Sequence, residues 1–456
     1  MRWICLSLIL MIWMMMSLIN VVRADEPSSP FPDERFKADI LLILAHPDDE
    51  TAIGSYLAKA IFDLHKDIAI IYTTRGSGGG NSQGNEQSTA LGQIREIEGR
   101  RAAAKFGITN IWFLDGTDTP GQDVFQSLQN WGHGKILEQV IRLVRLTRPE
   151  IIITWLPHYV AGENHGDHQA AGVIATEAFD LSGNPTIFPA QITMPRERLD
   201  INNFSEGLIP WQPQKIYYFS DASHPIQAAG PAFDISQISP GKKVPYYRLA
   251  ADLHLEHLTQ GDVSENARQA LESGDFTAFR QWLSNFKLIF GKSLVECTAT
   301  ADVFAEINSQ PLSFHPVPGY EPEPLTGTGM RLGGAFAYYR DFHRAHQLEH
   351  LTDLVPPEME VATGSYVHVP LLLHNGSADS VTILLNSILP DGWQEVTGSL
   401  SYRLGPNQTW PVQTFCFAPD RPQLEFKELV WEASMAGKMI GRVRVRTIVR
   451  EWTLPQ

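Results

Sequence analysis

Two short stretches of this chain hold an unusual density of side chains that bind metals and move protons. LLILAHPDDE (41–50) runs four apolar residues and an alanine into His46, Pro47, Asp48, Asp49 and Glu50, and HYVAGENHGDH (158–168) ends on His165, Asp167 and His168. Two imidazoles and one carboxylate meeting at a point are the donor set of a hydrolytic zinc site, which keeps a fourth position open to water. His46, Asp49 and His168 are the expected ligands. Such a metal makes water acidic near neutrality, and a neighbouring carboxylate can take the proton as the oxygen attacks a carbonyl. Asp48, beside a ligand but directed differently, fits that base. His165 is left to hydrogen-bond the developing oxyanion, with Asp167 to keep it oriented or protonated. The same donors suit Fe(II), so they leave the metal open between zinc and iron. Taken singly, a histidine here packs and Asp49-Glu50 starts a helix favoured by its dipole; the combination carries the reading.

The elements that must position these residues alternate. Apolar runs at 39–46, 68–74, 110–114, 150–155 and 215–219 read as strands; segments of helical period follow at 51–66, 89–106, around 136–144 and at 167–181. Crossovers of that length imply a parallel sheet with helices on both faces, an α/β architecture. Ligands of such sheets bind beyond the carboxyl ends of the strands. Each motif loop follows such an end: 46–50, the glycine loop RGSGGGN (75–81), Asp115 and Asp118 in FLDGTDTP, and 158–168. The glycine loop lacks the Lys-Ser/Thr of a phosphate cradle and reads as a mobile rim of the site.

Residues 225–350 carry helical signals at 245–260 and 264–289 and a Pro/Gly-rich passage, 314–334, expected to wrap the catalytic domain. From 356 to 456, short alternating segments between turn residues read as a small all-β sandwich. The expected division is a catalytic domain at 34–350 with its core at 37–260, then the sandwich. Exposed Trp393, Trp410 or Trp431 would stack on sugar rings, but tryptophans of sandwiches are more often buried, so a spacer or docking module is expected.

A formal net charge of -15 without a Lys/Arg stripe argues against nucleic acid as a partner. Arg2, an apolar run to about Val22 and Val22-Arg23-Ala24 read as an export signal, residues 1–24, which puts the rest in the periplasm or outside the cell. The run also approaches bilayer-spanning length, so an N-terminal anchor is the alternative; a cleaved signal leaves no stable membrane span. Cys297 and Cys416 are too few for a disulfide framework, and either one bridge or two thiols is open.

In order, AHPDDE, TTRG, IREIE, FLDGTD, TRPEIIITW and HGDH resemble the PIG-L/LmbE-like N-acetylglucosaminyl deacetylases across about 37–260. The resemblance implies a Rossmann-like zinc amidohydrolase that removes acetyl from an N-acetylated amino sugar, such as a unit of a cell-surface or extracellular glycan. It carries His46, Asp49 and His168 onto the zinc ligands, Asp48 onto the base and His165 onto the oxyanion-stabilising histidine. It also carries Arg95 and Asp118 onto sugar contacts, and HLTQ (257–260) resembles the family's H-x-S/T-Q motif, which puts His257 at the site. Where the thiol-sugar branch has a tyrosine, this chain has Glu163, and Tyr159 is the nearby substitute. The sandwich resembles immunoglobulin-like accessory domains of exported carbohydrate-active enzymes. Two other readings stand beside this one: a metal-dependent amidase on a non-sugar or thiol-conjugate amide, and a sugar-binding protein without turnover.

Overall fold

The computed structural model describes residues 32–160, 165–192, 208–222, 224–322, 324–396 and 400–451. The expected signal, 1–24, and Glu163 lie outside the described residues. No helix among the described residues is long and apolar enough to cross a membrane.

Five strands, β1 (Ile40–Leu44), β2 (Ile68–Tyr72), β3 (Asn110–Phe113), β4 (Ile151–Trp155) and β5 (Lys215–Phe219), run parallel in the order β3-β2-β1-β4-β5. A strand not expected from the sequence, β6 (Ile289–Ser293), begins where the helical signal at 264–289 ends and closes the β5 edge antiparallel. Strands β1, β2, β4 and β5 are buried at every position, because helices cover both faces. The crossovers carry α1 (Gly54–Phe62), α2 (Thr89–Lys105), α3 (Val124–Trp131), α4 (His133–Thr147) and α5 (Gly166–Leu181). The chain steps outward from β1 to β3, then returns to the other side of β1 as β4. That reversal opens a crevice at the carboxyl ends of β1 and β4, where ligands of doubly wound sheets lodge. Register pairs Ile40 with Ile151 and Ile43 with Thr154, so the loops after 44 and 155 emerge side by side.

The expected helix at 245–260 is α6 (Tyr246–His254), and 257–260 forms a turn. The expected helix at 264–289 is two, α7 (Gly261–Ser273) and α8 (Thr277–Leu283), divided by Gly274 at φ 74, a left-handed stop that glycine adopts without strain.

Two sheets form the C-terminal β-rich unit. One has the order β12-β10-β14-β15-β8 and the other β11-β13-β9-β7. These strands are β7 (Gly329–Leu332), β8 (Glu358–Ala362), β9 (Tyr366–His374), β10 (Val381–Ile388), β11 (Gln394–Glu395), β12 (Leu400–Leu404), β13 (Thr409–Phe417), β14 (Lys427–Met435) and β15 (Lys438–Arg450). The domain division expected at 350 is therefore displaced: β7 pairs with β9, while α9 (Gly334–Ala345), which follows it, packs Phe336, Tyr339 and Phe342 on the α/β core. Four half-buried residues, GMRL, carry no period by which a strand is recognised. Trp393 and Trp431 are buried in the sandwich core, whereas Trp410 is 44% exposed. Cys297 and Cys416 are free thiols, the second in the sandwich core.

Candidate metal centre

Asp49 opens a 3-10 turn (Asp49–Ile53) just past β1, and His168 sits in the first turn of α5 just past β4. His46 Nδ1 and His168 Nε2 are 3.3 Å apart, and Asp49 Oδ1 lies 3.3 Å from His168 Nε2 and 3.8 Å from His46 Nδ1. A triangle with these sides has its centre about 2 Å from each corner, the length of Zn–N and Zn–O bonds. Asp49 Oδ2 is held by the N–H groups of Ala45 at 2.8 Å and His46 at 3.0 Å and by the Trp155 indole at 2.6 Å, which turns Oδ1 to the histidines. Trp155 also stacks on His168, ring centroids 3.9 Å apart, so one indole orients two of the three donors.

The electrostatics suit a cation at that centre. Burial opposes charge on His46, yet Asp118, Asp167 and Asp49 outweigh it and hold the imidazole well above its ordinary pKa. Against the same burial, Asp49 and Asp221 lift His168 to about 9. Asp49 in turn is held well below the usual carboxylate range, because His168 and His46 outweigh its burial. The donors fit a divalent ion bound by two nitrogens and one oxygen with an open position.

The outward ring nitrogens meet acids. His46 Nε2 lies 3.5 Å from Asp167 Oδ2 and 3.6 Å from Asp118 Oδ1; His168 Nδ1 lies 3.4 Å from Asp221 Oδ2. Such acids fix the ring orientation and raise the basicity of a ligand. Asp221 is absent from the sequence reading, although an acid two residues past β5, the neighbour of β4, was the available signal. Replacing it (Asp221→Asn) is expected to weaken metal binding about ten- to hundredfold, read by competition with a chromogenic chelator; unchanged affinity would remove it from this role.

Asp48 is half-buried and stands at φ 129. Burial, then the Asp49 charge, push its carboxyl up to about 7 against the pull of His257, Arg95 and His46. His165 caps α5, its ring 4.8 Å from that of His46 and 4.3 Å from that of His168. Burial and those two rings hold it well below the ordinary imidazole value. The Asp167 backbone N–H donates to its Nδ1 at 3.3 Å, which leaves the proton of the neutral ring on Nε2.

Several expectations change here. The Asp167 carboxylate faces His46 and accepts from Thr119 N at 2.8 Å, so it is the main chain of Asp167 that orients His165, and the ring stays neutral. Arg95 is buried and donates from Nη1 to Gly76 O and from Nη2 to Gly80 O, both at 2.8 Å, while Asp118 Oδ2 accepts from Gly78 N at 2.6 Å. The two residues expected at the sugar thus grip the glycine loop, which is a fastened rim where a mobile one was expected. A Cβ on Gly79 would fall 2.7 Å from both terminal nitrogens of Arg95, so a larger residue there would push the guanidinium off its two carbonyl acceptors. His257 is fully buried and meets Glu50 Oε1 at 2.6 Å, behind the centre where a residue lining it was expected. The Tyr159 hydroxyl donates to Gln122 Oε1 at 3.3 Å, which directs it to a neighbouring loop. Glu50, which the sequence leaves open as a helix-start acid or a support behind the ligands, is fully buried and also accepts from Tyr72 Oη at 2.7 Å. A carboxylate is rarely buried completely without partners, and those partners lie far away in sequence.

The fold defines a doubly wound α/β protein with a His/Asp cluster at its switch point that could hold a metal ion: His46 stands with His165 and His168, and also with Asp118 and Asp167, in groups whose ligand atoms lie within 4.8 Å of one another, and Asp49 lies 3.3 Å from His168. Residues 41–179 match the family model PIG-L, described as GlcNAc-PI de-N-acetylase, and the chain carries a PIG-L domain. It is 26% identical over 166 residues to the 1D-myo-inositol 2-acetamido-2-deoxy-alpha-D-glucopyranoside deacetylase 1 of Frankia casuarinae, covering 33% of this chain and 53% of the relative. It is 31% identical over 176 residues to the like-named deacetylase of Corynebacterium jeikeium, covering 32% of this chain and 52% of the relative. The chain thus spans about half the length of the curated relatives it matches. Among solved structures, the N,N'-diacetylchitobiose deacetylase of Pyrococcus horikoshii aligns with a TM-score of 0.39 and 18% identity over 60% of this chain and 91% of that one.

Proposed function

We propose that this protein is an exported, zinc-dependent deacetylase that hydrolyses the N-acetyl group of an N-acetylglucosamine-like sugar or glycoconjugate. The observation that carries the reading is the meeting of three inward donors, mutually within 3.8 Å, with Asp48 adjoining one ligand and the neutral His165 ring beside the other two. The names of the curated relatives support an acetamido sugar as substrate class. Export rests on the apolar N-terminal run alone.

A divalent ion in the His46, Asp49 and His168 set would supply Lewis acidity to water and to the acetyl carbonyl. The remaining work falls to the chain. Asp48 accepts a proton from the attacking water as its oxygen adds to the acetyl carbon. The proton on His165 Nε2 points a hydrogen bond at the carbonyl oxygen as it gains negative charge. As the C–N bond breaks, Asp48 returns its proton to the leaving nitrogen, which gives acetate and the free amine.

The test is acetate release by the purified protein from a panel of N-acetylhexosamines, free and glycosidically linked, beside N-acetyl thiol conjugates and peptides. Release from the sugars is expected. Release only from the conjugates would move the substrate to non-sugar amides. Stoichiometric metal and glycan binding without acetate would leave a sugar-binding protein.

A further inference from the structure

Asp48 has φ 129 and ψ -20, a region that residues with a Cβ avoid and that persists only where the surroundings enforce it. The surroundings here act on one peptide group, that between Pro47 and Asp48. Its carbonyl oxygen accepts from the side-chain Nε2 of Gln260. Its N–H donates to Glu50 Oε2 at 3.1 Å. The Glu50 carboxylate is itself immobilised by Tyr72 Oη at 2.7 Å and His257 Nε2 at 2.6 Å, and the side chains of Glu50 and His257 are fully buried. Thr259 fastens the segment between these two contacts: its N–H and hydroxyl donate to Glu98 at 2.9 and 2.6 Å.

We infer that residues 257–260 form a clamp on the Pro47–Asp48 peptide, with Gln260 and Glu50 as positioning residues for Asp48. A peptide held at its carbonyl and at its N–H cannot turn about the chain axis. The next peptide is held too, because the Asp48 carbonyl accepts from the Thr51 N–H at 2.8 Å, so φ is set between two anchored peptide planes and only the side-chain torsions of Asp48 stay free. The clamp therefore fixes where the carboxylate stands relative to His46 and Asp49, whose side chains are held by other contacts. This accounts for the spacing of H-L-T-Q: His257, Thr259 and Gln260 reach three residues on two pieces of the chain, Glu50 and Pro47 on the loop after β1 and Glu98 on α2, with Pro47 213 residues from Gln260 in sequence. It also accounts for the buried glutamate after the Asp-Asp pair, whose carboxylate is the acceptor for the Asp48 N–H. The inference rests on the reading of Asp48 as the base of the proposed deacetylation.

The experiment pairs kinetics with crystallography on the metal-loaded full chain carrying Gln260→Leu, which keeps side-chain size and removes the donor. The expected result is a fall in kcat of at least about tenfold, within the range lost when a general base is misplaced, with KM, metal content and Tm near those of the unaltered protein. In the crystal, Asp48 should leave positive φ while the His46, Asp49 and His168 donors keep their spacing. A Gln260→Leu structure with Asp48 still near φ 129, or an unchanged kcat, would overturn the clamp. Should the unaltered protein release no acetate, the proposed function fails, and the torsion of Asp48 in the variant still decides the clamp. If Gln260→Leu does not fold, Gln260→Ala, which removes the same donor without setting an apolar group against the Pro47 carbonyl, is read by the same two measurements.

Discussion

Asp48→Asn is expected to purify with its full complement of metal and to lose turnover by about a hundredfold or more, the contribution typical of a positioned general base. Asparagine suits this test better than alanine because it tolerates positive φ far better than other residues, and Asp48 stands at φ 129. The contact that holds the residue from behind is a main-chain N–H to Glu50, which the substitution leaves in place. The ligands are also untouched: Asp49 keeps its three donors, and His168 keeps the stack on Trp155. What disappears is only the capacity to accept a proton beside the centre. Metal content by elemental analysis and initial rates of acetate release are the two measurements. A rate within twofold of the unaltered protein, at full metal content, would remove Asp48 from the mechanism.

The parts of this molecule that could be read from sequence are those whose causes are local. Strands such as 151–155 announce themselves by an unbroken apolar run, and α4 by Ile136, Val140, Ile141 and Val144 on one face, all buried. Because strand ends locate the crevice, His46, Asp49 and His168 could be brought together with no knowledge of helix packing. The residues that escaped have causes far along the chain. Glu50 looks like any acid at a helix start until Tyr72 and His257 close on it. Arg95 and Asp118 look like groups for a polar ligand, and in the fold their partners are the carbonyls and the N–H of the glycine loop. β7 joins the sandwich because β9 offers it an edge, a reason absent from its four residues. A motif can therefore be recognised, as H-L-T-Q was, while the task of each of its side chains stays hidden until the contacts are known.

The second large effect lies at Asp49, where two substitutions should separate metal binding from folding. Asp49 Oδ1 faces both histidines, whereas Oδ2 accepts from two backbone N–H groups and the Trp155 indole. An asparagine can keep its carbonyl oxygen in the Oδ2 position and meet all three donors, but it then presents an NH2 group, which cannot ligate, to the histidines. Asp49→Asn should accordingly emerge without metal, release no acetate, and unfold in urea close to the apo form of the unaltered protein. Asp49→Ala should lose the metal and, in addition, leave three buried donors without an acceptor, at about 1–3 kcal/mol for each one unsatisfied. Its urea midpoint should therefore fall well below that of Asp49→Asn. Prolonged dialysis of the unaltered protein against a chelator should reproduce the Asp49→Asn phenotype, and added Zn(II) or Fe(II) should restore acetate release to the dialysed protein but not to either variant. Full metal content in Asp49→Asn would show that the centre is built without this carboxylate. Equal midpoints for the two variants would show that the three donors find other acceptors when it is gone.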